Sequence, residues 1–507
     1  MIKNILQLLE SSTVKNPNHT VFVEEKREVT FKCFTEESRK IGYYIYSKIN
    51  KTNKPIVIFI DKSINCLEAM MGVLYSGNFY TIIDTKSPSE RFQSILNTLE
   101  PEMIITDEKN KSKLEKYDCE NIPVLILEDS KSITVDKNIL NEIRDNQIDT
   151  DVMYVLFTSG STGLPKGTVL THRAVISYVQ WVVETFNINE KTIWGSQTPF
   201  YFSMSITDVF STIAAGATLC IIPKMYFSFP IKLVEYMNSN KVNTIYWVPS
   251  ALCIVANLKI LETERFETLN KILFAGEVMP VKQLNMWIKA LPQATFANLF
   301  GPTETTDICS YYIVNRKFQN DESIPIGKHC DNCNLIIVDE NNKEIKPNDT
   351  KSIGELLVRG SFLASGYYKN PKKTAEVFVQ NPLNDKYYET VYRTGDIVKY
   401  NEKGEIVYLS RKDYQIKHMG YRIELGEIEK NIYGIDEIVL CACIYDKKTE
   451  KIVLFYQGDI EKDELAKKLK NKLLPYMMPN EYIKVSKMPY NMNGKIDRKK
   501  LESLVYG

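Results

Sequence analysis

Leu156-Phe157-Thr158-Ser159-Gly160-Ser161-Thr162-Gly163-Leu164-Pro165-Lys166-Gly167 is the most informative stretch of the 507-residue chain. Its apolar lead-in, residues 154–157, reads as a buried strand. The strand empties into a loop dense in Ser, Thr and Gly that closes on a lysine. Glycines let a backbone curl until several N–H groups converge, and hydroxyls add donors, so this segment is built to hold phosphate at a strand end. The GxxxxGK[ST] spacing of a Walker loop is absent.

A strand feeding such a loop belongs to an α/β architecture, and the surrounding chain has that rhythm. Residues 55–60, 80–84, 102–107 and 124–127 are short apolar strand candidates, with a helix expected over 66–76. The same alternation returns at 218–223, 244–248 and 271–275, which predicts parallel sheets with helices on their faces. From about residue 323 strands and turns crowd together, at 335–339, 354–360 and 397–409. A separate C-terminal unit follows, with strands at 438–445 and 452–456 and a helix over 462–472. A hinge is expected near residues 411–413.

Bulk properties exclude several roles. Sixty-four basic residues against 63 acidic ones leave a net charge of +1, so no global field attracts nucleic acid or an anionic membrane. The N-terminus reads as an amphipathic helix without the apolar core of a signal peptide, and no stretch is apolar for long enough to cross a bilayer. A cytoplasmic protein is expected. Ten scattered cysteines suit reduced thiols rather than a disulfide framework. His329-Cys330-Asp331-Asn332-Cys333 is a lone CxxC without a matching ligand pair, and reads as a loop with two incidental thiols. His172 has no nucleophile paired with it in sequence and is read as structural. His418 has no assigned role.

Five further motifs follow the phosphate loop in order. They are Asn298-Leu299-Phe300-Gly301-Pro302-Thr303-Glu304, Tyr392-Arg393-Thr394-Gly395-Asp396, Ser410-Arg411-Lys412-Asp413-Tyr414-Gln415-Ile416-Lys417 with Gly420-Tyr421-Arg422-Ile423-Glu424, Leu474-Pro475-Tyr476-Met477-Met478-Pro479, and Asn493-Gly494-Lys495-Ile496-Asp497. This ordered set, over nearly the whole length, resembles the adenylate-forming superfamily of acyl-CoA synthetases, luciferases and nonribosomal peptide synthetase adenylation domains. Among these the chain looks most like freestanding amino-acid adenylation enzymes and D-alanine–carrier-protein ligases.

The resemblance implies an α/β multi-domain fold: a large N-terminal domain of two β-sheets with helices plus a smaller β-rich subdomain, residues 1–410, and a small mobile α+β C-terminal domain, residues 411–507, turning about Asp413. It implies ATP and Mg²⁺ as cofactors. Thr158, Ser159, Gly160, Ser161, Thr162, Gly163, Lys166 and Thr303 would hold phosphates, and Glu304 would bind Mg²⁺ as a hard carboxylate ligand. Phe300 would stack on adenine where the family usually has Tyr. Gly276, Glu277, Asn298 and Gly301 would pass the nucleotide, Asp396 would accept both ribose hydroxyls, and Arg411 would contact ribose or phosphate. Lys495 would bridge the substrate carboxylate and the α-phosphate. With Thr158 and Glu304 it makes the implied catalytic set, because the nucleophile is already ionised and the need is to stabilise phosphoryl charge.

Aligned with the amino-acid-activating branch, the pocket is lined by Ser203, Met204, Thr207, Tyr246, Leu273, Ala275, Leu299, Asp307 and Ile308. Ser203 stands where α-amino-acid enzymes carry an aspartate, and Asp307 is the only anion in the set, although such a residue could equally lie on an exposed turn. A small β-amino acid is therefore the expected substrate, loaded onto a separate carrier protein in trans. An acyl- or aryl-CoA synthetase and a catalytically silent binding homologue are the alternatives.

Overall fold

The computed structural model describes residues 2–158, 165–319, 322–412, 415–490 and 496–506. Lys495, Asp413 and the loop residues Ser159, Gly160, Ser161, Thr162 and Gly163 lie outside the described residues.

Two large sheets form the body. The phosphate-loop strand, Val152–Thr158, sits in a seven-stranded sheet beside Phe79–Ile82 and Pro55–Phe59, with which it runs parallel, and pairs antiparallel with Lys166–Thr171 beyond the loop. A nine-stranded sheet has a parallel centre of Ile193–Ser196, Thr244–Trp247, Lys271–Phe274 and Thr295–Phe300. Antiparallel strands close both of its edges. Pro55–Phe59, Phe79–Ile82, Met103–Thr106 and Thr244–Trp247 are buried along their whole length, as parallel strands covered on both faces must be. Helices fill the space between the sheets: Ile64–Tyr75 is buried along nearly its whole length, and Met204–Ala215 presents Ile206, Val209, Phe210 and Ile213 to the same core.

The strand-dense region folds as a five-stranded antiparallel sheet including Gly354–Gly360, Thr390–Tyr400 and Ile406–Arg411. The strand-and-turn region expected over 397–409 holds the end of one strand and the start of the next, turned at Glu402–Gly404, where Gly404 takes φ +71°. The apolar core of this body ends at Ile406. A second core, from Ile423 to Met477, gathers the helices Leu425–Tyr433 and Lys462–Leu469 on one face of a three-stranded sheet, Ile438–Asp446, Lys451–Gly458 and Glu481–Lys484. Ala442, Ile444, Val453 and Phe455 point to the other face, where Met488, Ile496 and Leu501 cover them.

Cys330 lies in the turn between the strands Lys328–His329 and Cys333–Val338, as expected, while Cys333 opens the second of them; both thiols are buried and free. Burial pushes both thiols up, which makes them poor nucleophiles. His172 is buried, accepts a hydrogen bond from Ile5 N at 3.3 Å, and is held down to about 3 by burial, so it stays neutral. His418 packs edge-on against Tyr445. Among the described residues no helix is long and apolar enough to cross a membrane.

Candidate active site

A deep cleft opens where the two large sheets, the antiparallel sheet and the hairpin Gln415–Glu424 converge. Thr158, Ser203, Met204, Ala275, Gly276, Gly301, Thr303, Asp307, Ile308, Asp396 and Arg411 all line it. Residues from motifs more than two hundred positions apart thus meet at one place. The parallel strands achieve this because their C-terminal ends all point into the same crevice.

The turn after strand Thr295–Phe300 carries two acidic residues facing different neighbours. A Cβ on Gly301 would lie 2.4 Å from Asp307 O and 2.5 Å from Ile308 Cα, so only glycine lets the chain double back this tightly. Thr306 adopts φ 65°, ψ −55°, and Asp307 N donates to Thr305 O at 2.7 Å. This is a γ-turn of the rare positive-φ hand, strained for a β-branched residue. Its buried hydroxyl donates to Phe362 O at 2.9 Å and helps fix the bend.

Glu304, on the near side of that bend, is fully buried. Its Oε1 accepts from Tyr367 OH at 2.6 Å and Lys166 Nζ at 3.1 Å, and its Oε2 from Arg422 Nη1 at 2.7 Å. Burial opposes its ionisation, but Arg422, Lys166 and Tyr367 together hold the carboxyl well below its ordinary range. Lys166 is brought down to about 8, burial outweighing the attraction of Glu304. Thr158 Oγ1 is buried with no hydrogen-bond partner among the described residues, a donor aimed into the cleft.

Asp307, beyond the bend, is 2% exposed and not on an outer turn. Its Oδ2 accepts three hydroxyls, from Thr207 at 2.8 Å, Tyr246 at 3.0 Å and Tyr178 at 3.1 Å. No cation stands against it among the described residues, and burial raises its carboxyl to about 6 despite those donors. Ser203 lies at the same end, its hydroxyl accepting from Thr303 at 3.2 Å. Thr207 and Tyr246 therefore reach the cleft through Asp307, while Leu273 and Leu299 are buried in their strands behind it.

On the other side Arg411 Nη1 donates to Thr394 O at 2.8 Å and Asp396 Oδ1 at 3.1 Å. Phe300 is buried, and Lys417 Nζ stands over its ring, 4.8 Å from the ring centre. Asn298 donates to Pro325 O at 2.9 Å. Glu277 binds Ser250 N at 2.9 Å and Gly420 N at 2.6 Å, which pins the hairpin tip against the body. Tyr421 stacks on Tyr476 at 3.5 Å and meets Phe202 edge-on at 5.0 Å, and Arg91 pairs with Glu427 at 2.6 Å. Tyr178, Tyr367, Arg422, Lys417 and Arg91 are the site residues that sequence reasoning missed. The first two lie in segments that read locally as core, and Arg422 sits inside a quoted motif without a role.

Comparison with known proteins matches the family model described as AMP-binding enzyme over residues 9–368. The chain is 31% identical to zwittermicin A synthase ZmaJ of Bacillus cereus, covering 99% of this chain and 95% of that protein. It is 29% identical to the D-alanine–D-alanyl carrier protein ligase of Staphylococcus aureus, covering 99% of this chain and all of the other. Two further relatives, each 30% identical, are longer proteins of which the chain spans 19% and 44%. The crystal structure of the Vibrio cholerae adenylation domain AlmE in complex with glycyl-adenosine-5′-phosphate superposes with a TM-score of 0.84 at 20% identity, over all of this chain and 98% of that one, which establishes the shared fold.

Proposed function

Because the chain belongs to the AMP-binding enzyme family, we propose that it activates a small β-amino acid as its acyl-adenylate and passes the acyl group to a phosphopantetheine thiol on a separate carrier protein. In the first half-reaction a carboxylate oxygen attacks the α-phosphorus of ATP, the bond to the β-phosphate oxygen breaks, and pyrophosphate leaves. In the second the thiol sulfur attacks the acyl carbon, AMP leaves with the bonding pair, and the thiol proton passes to solvent.

The residues divide this labour. Thr158, Thr303 and Lys166 orient phosphate oxygens, Asp396 and Arg411 bracket the ribose, and Lys495 carries charge at the α-phosphate. Glu304 fits a divalent cation by its chemistry, as a buried carboxylate beside Lys166 that is kept ionised and whose Oε2 a cation could take in place of Arg422. Mg²⁺ bound there would neutralise phosphate charge. The unit after Arg411 would act as a lid turning about Asp413. Its hairpin face is docked on the cleft, whereas Ile496 packs on the opposite face of the lid sheet. A lid that presents different faces to the cleft in the two half-reactions suits this arrangement.

The observation that carries the substrate class is Asp307: a buried carboxylate in the pocket wall, oriented by three hydroxyls and with no cation against it among the described residues, with serine at position 203. A buried anion of this kind is costly until an ammonium meets it. The test is ATP–pyrophosphate exchange with β-alanine, D- and L-alanine and propionate, repeated with Asp307→Asn. β-Alanine should lead in the parent enzyme and fall to the level of propionate in the variant. Preference for an α-amino acid, or indifference to the substitution, overturns the substrate.

A further inference from the structure

Glu304 has two oxygens, and two bodies compete for them. Lys166 and Tyr367 hold Oε1 from the large domain, while Arg422 holds Oε2 at 2.7 Å from the lid hairpin. The carboxylate has no contact with solvent, and the Arg422 side chain is only 14% exposed. We propose that Arg422 is a positioning residue that alternates with Mg²⁺ on Glu304, so that the metal and the docked lid exclude one another. This rests on the function proposed above, in which Glu304 serves the metal.

The exclusion follows from charge and reach. A magnesium ion approaches a carboxylate oxygen to about 2.1 Å and keeps a rigid octahedral shell, which leaves no room for a guanidinium on the same oxygen. Nor can a buried carboxylate compensate Lys166, a guanidinium and a divalent ion at once. Arg422 cannot step aside alone. Its neighbour Tyr421 is clamped between Tyr476 and Phe202, and Gly420 is bonded to Glu277 with its Cα against Val248, where a Cβ would lie 2.5 Å from Val248 Cγ1. The guanidinium and the hairpin leave together.

The consequence is an order of events. While metal and pyrophosphate occupy the site the hairpin cannot seat, so the arrangement for thiol transfer waits for their departure. Once they go, Arg422 supplies the charge that Glu304 has lost, and the carboxylate is never left buried and uncompensated. The guanidinium then stands in for the metal during the second half-reaction.

The experiment uses the full-length enzyme and needs no carboxylate substrate, so it stands whether or not the exchange assay identifies one. Amide hydrogen exchange of the hairpin is followed with ATP in EDTA and with ATP plus Mg²⁺. In the parent, Mg²⁺ should accelerate exchange at Gly420 and its neighbours by about tenfold, within the usual range of coupling between two sites. Arg422→Gln should reduce that metal response to less than about twofold, since a neutral amide no longer repels the ion. Arg422→Lys should keep it, and decides the matter if the glutamine variant already leaves the hairpin unprotected in EDTA. A parent hairpin indifferent to Mg²⁺, or a glutamine variant responding as the parent does, overturns the proposal.

Discussion

Asp307→Asn removes one charge from the pocket wall and almost no volume. In the free enzyme that charge is a burden: burial lifts the carboxyl from its ordinary value near 4 to about 6, so keeping it ionised at neutral pH costs about 3 kcal/mol. The sign follows from linkage. Below about pH 4 the carboxyl is protonated in folded and unfolded chains alike and costs nothing. The penalty grows between about pH 4 and 6 as the unfolded chain ionises first, and is complete above 6. The asparagine variant should therefore melt about 3 °C higher than the parent at pH 7.5, for a unit of this size, with the gap closing at pH 4. Activity should move the other way. An ammonium facing an amide forfeits a buried ion pair, about 3–5 kcal/mol, so kcat/KM for β-alanine in exchange should fall by roughly a hundred- to thousandfold while propionate is hardly affected. The parent's rise in kcat/KM through pH 6 should vanish in the variant. A variant no more stable than the parent at pH 7.5, or one that loses propionate activity equally, would refute the reasoning.

Lys495→Ala should lower pyrophosphate exchange by about a hundred- to thousandfold and leave ATP affinity nearly intact by calorimetry. Asp413→Pro should reduce thiol transfer more than exchange, because proline restricts the backbone about which the lid is proposed to rotate; equal losses in single-turnover assays of both steps would remove the hinge from this position. Gly420→Ala meets two obstacles, a backbone at φ +80° and Val248 Cγ1 2.5 Å from the new Cβ. The backbone term alone is about 1–2 kcal/mol, so transfer should fall by roughly tenfold, with exchange spared.

The fold was legible where the physics is local. Apolar runs marked the parallel strands they named to within a residue or two, and strand Val152–Thr158 delivers Thr158 to the cleft. Glu304, Asp396 and Arg411 were singled out through their motifs, and Asp307 through alignment with the amino-acid-activating branch. What stayed hidden depends on distant partners. Tyr178 lies in the amphipathic helix His172–Thr185 and looks like any core tyrosine until its hydroxyl is seen on Asp307. Tyr367 and Lys166 meet Glu304 only because two strands pair antiparallel, Tyr367 opposite Thr168. Lys417 over Phe300 belongs to the position of the lid, which a one-dimensional pattern does not encode.

The γ-turn at Thr306 has a further consequence. In the proposed reaction it would fix, within one stiff segment of backbone, the separation between Glu304, assigned to the metal and phosphates, and Asp307, assigned to the substrate ammonium. That separation acts as a ruler, and the graduations are set by main-chain dihedrals, not by the side chains around it. Trimming Met204 would widen the slot and admit bulkier molecules, yet each would still be measured for the distance between its acid and its amine. On the proposed function, selectivity for length and selectivity for girth would be held by different parts of the protein, and could be altered one without the other.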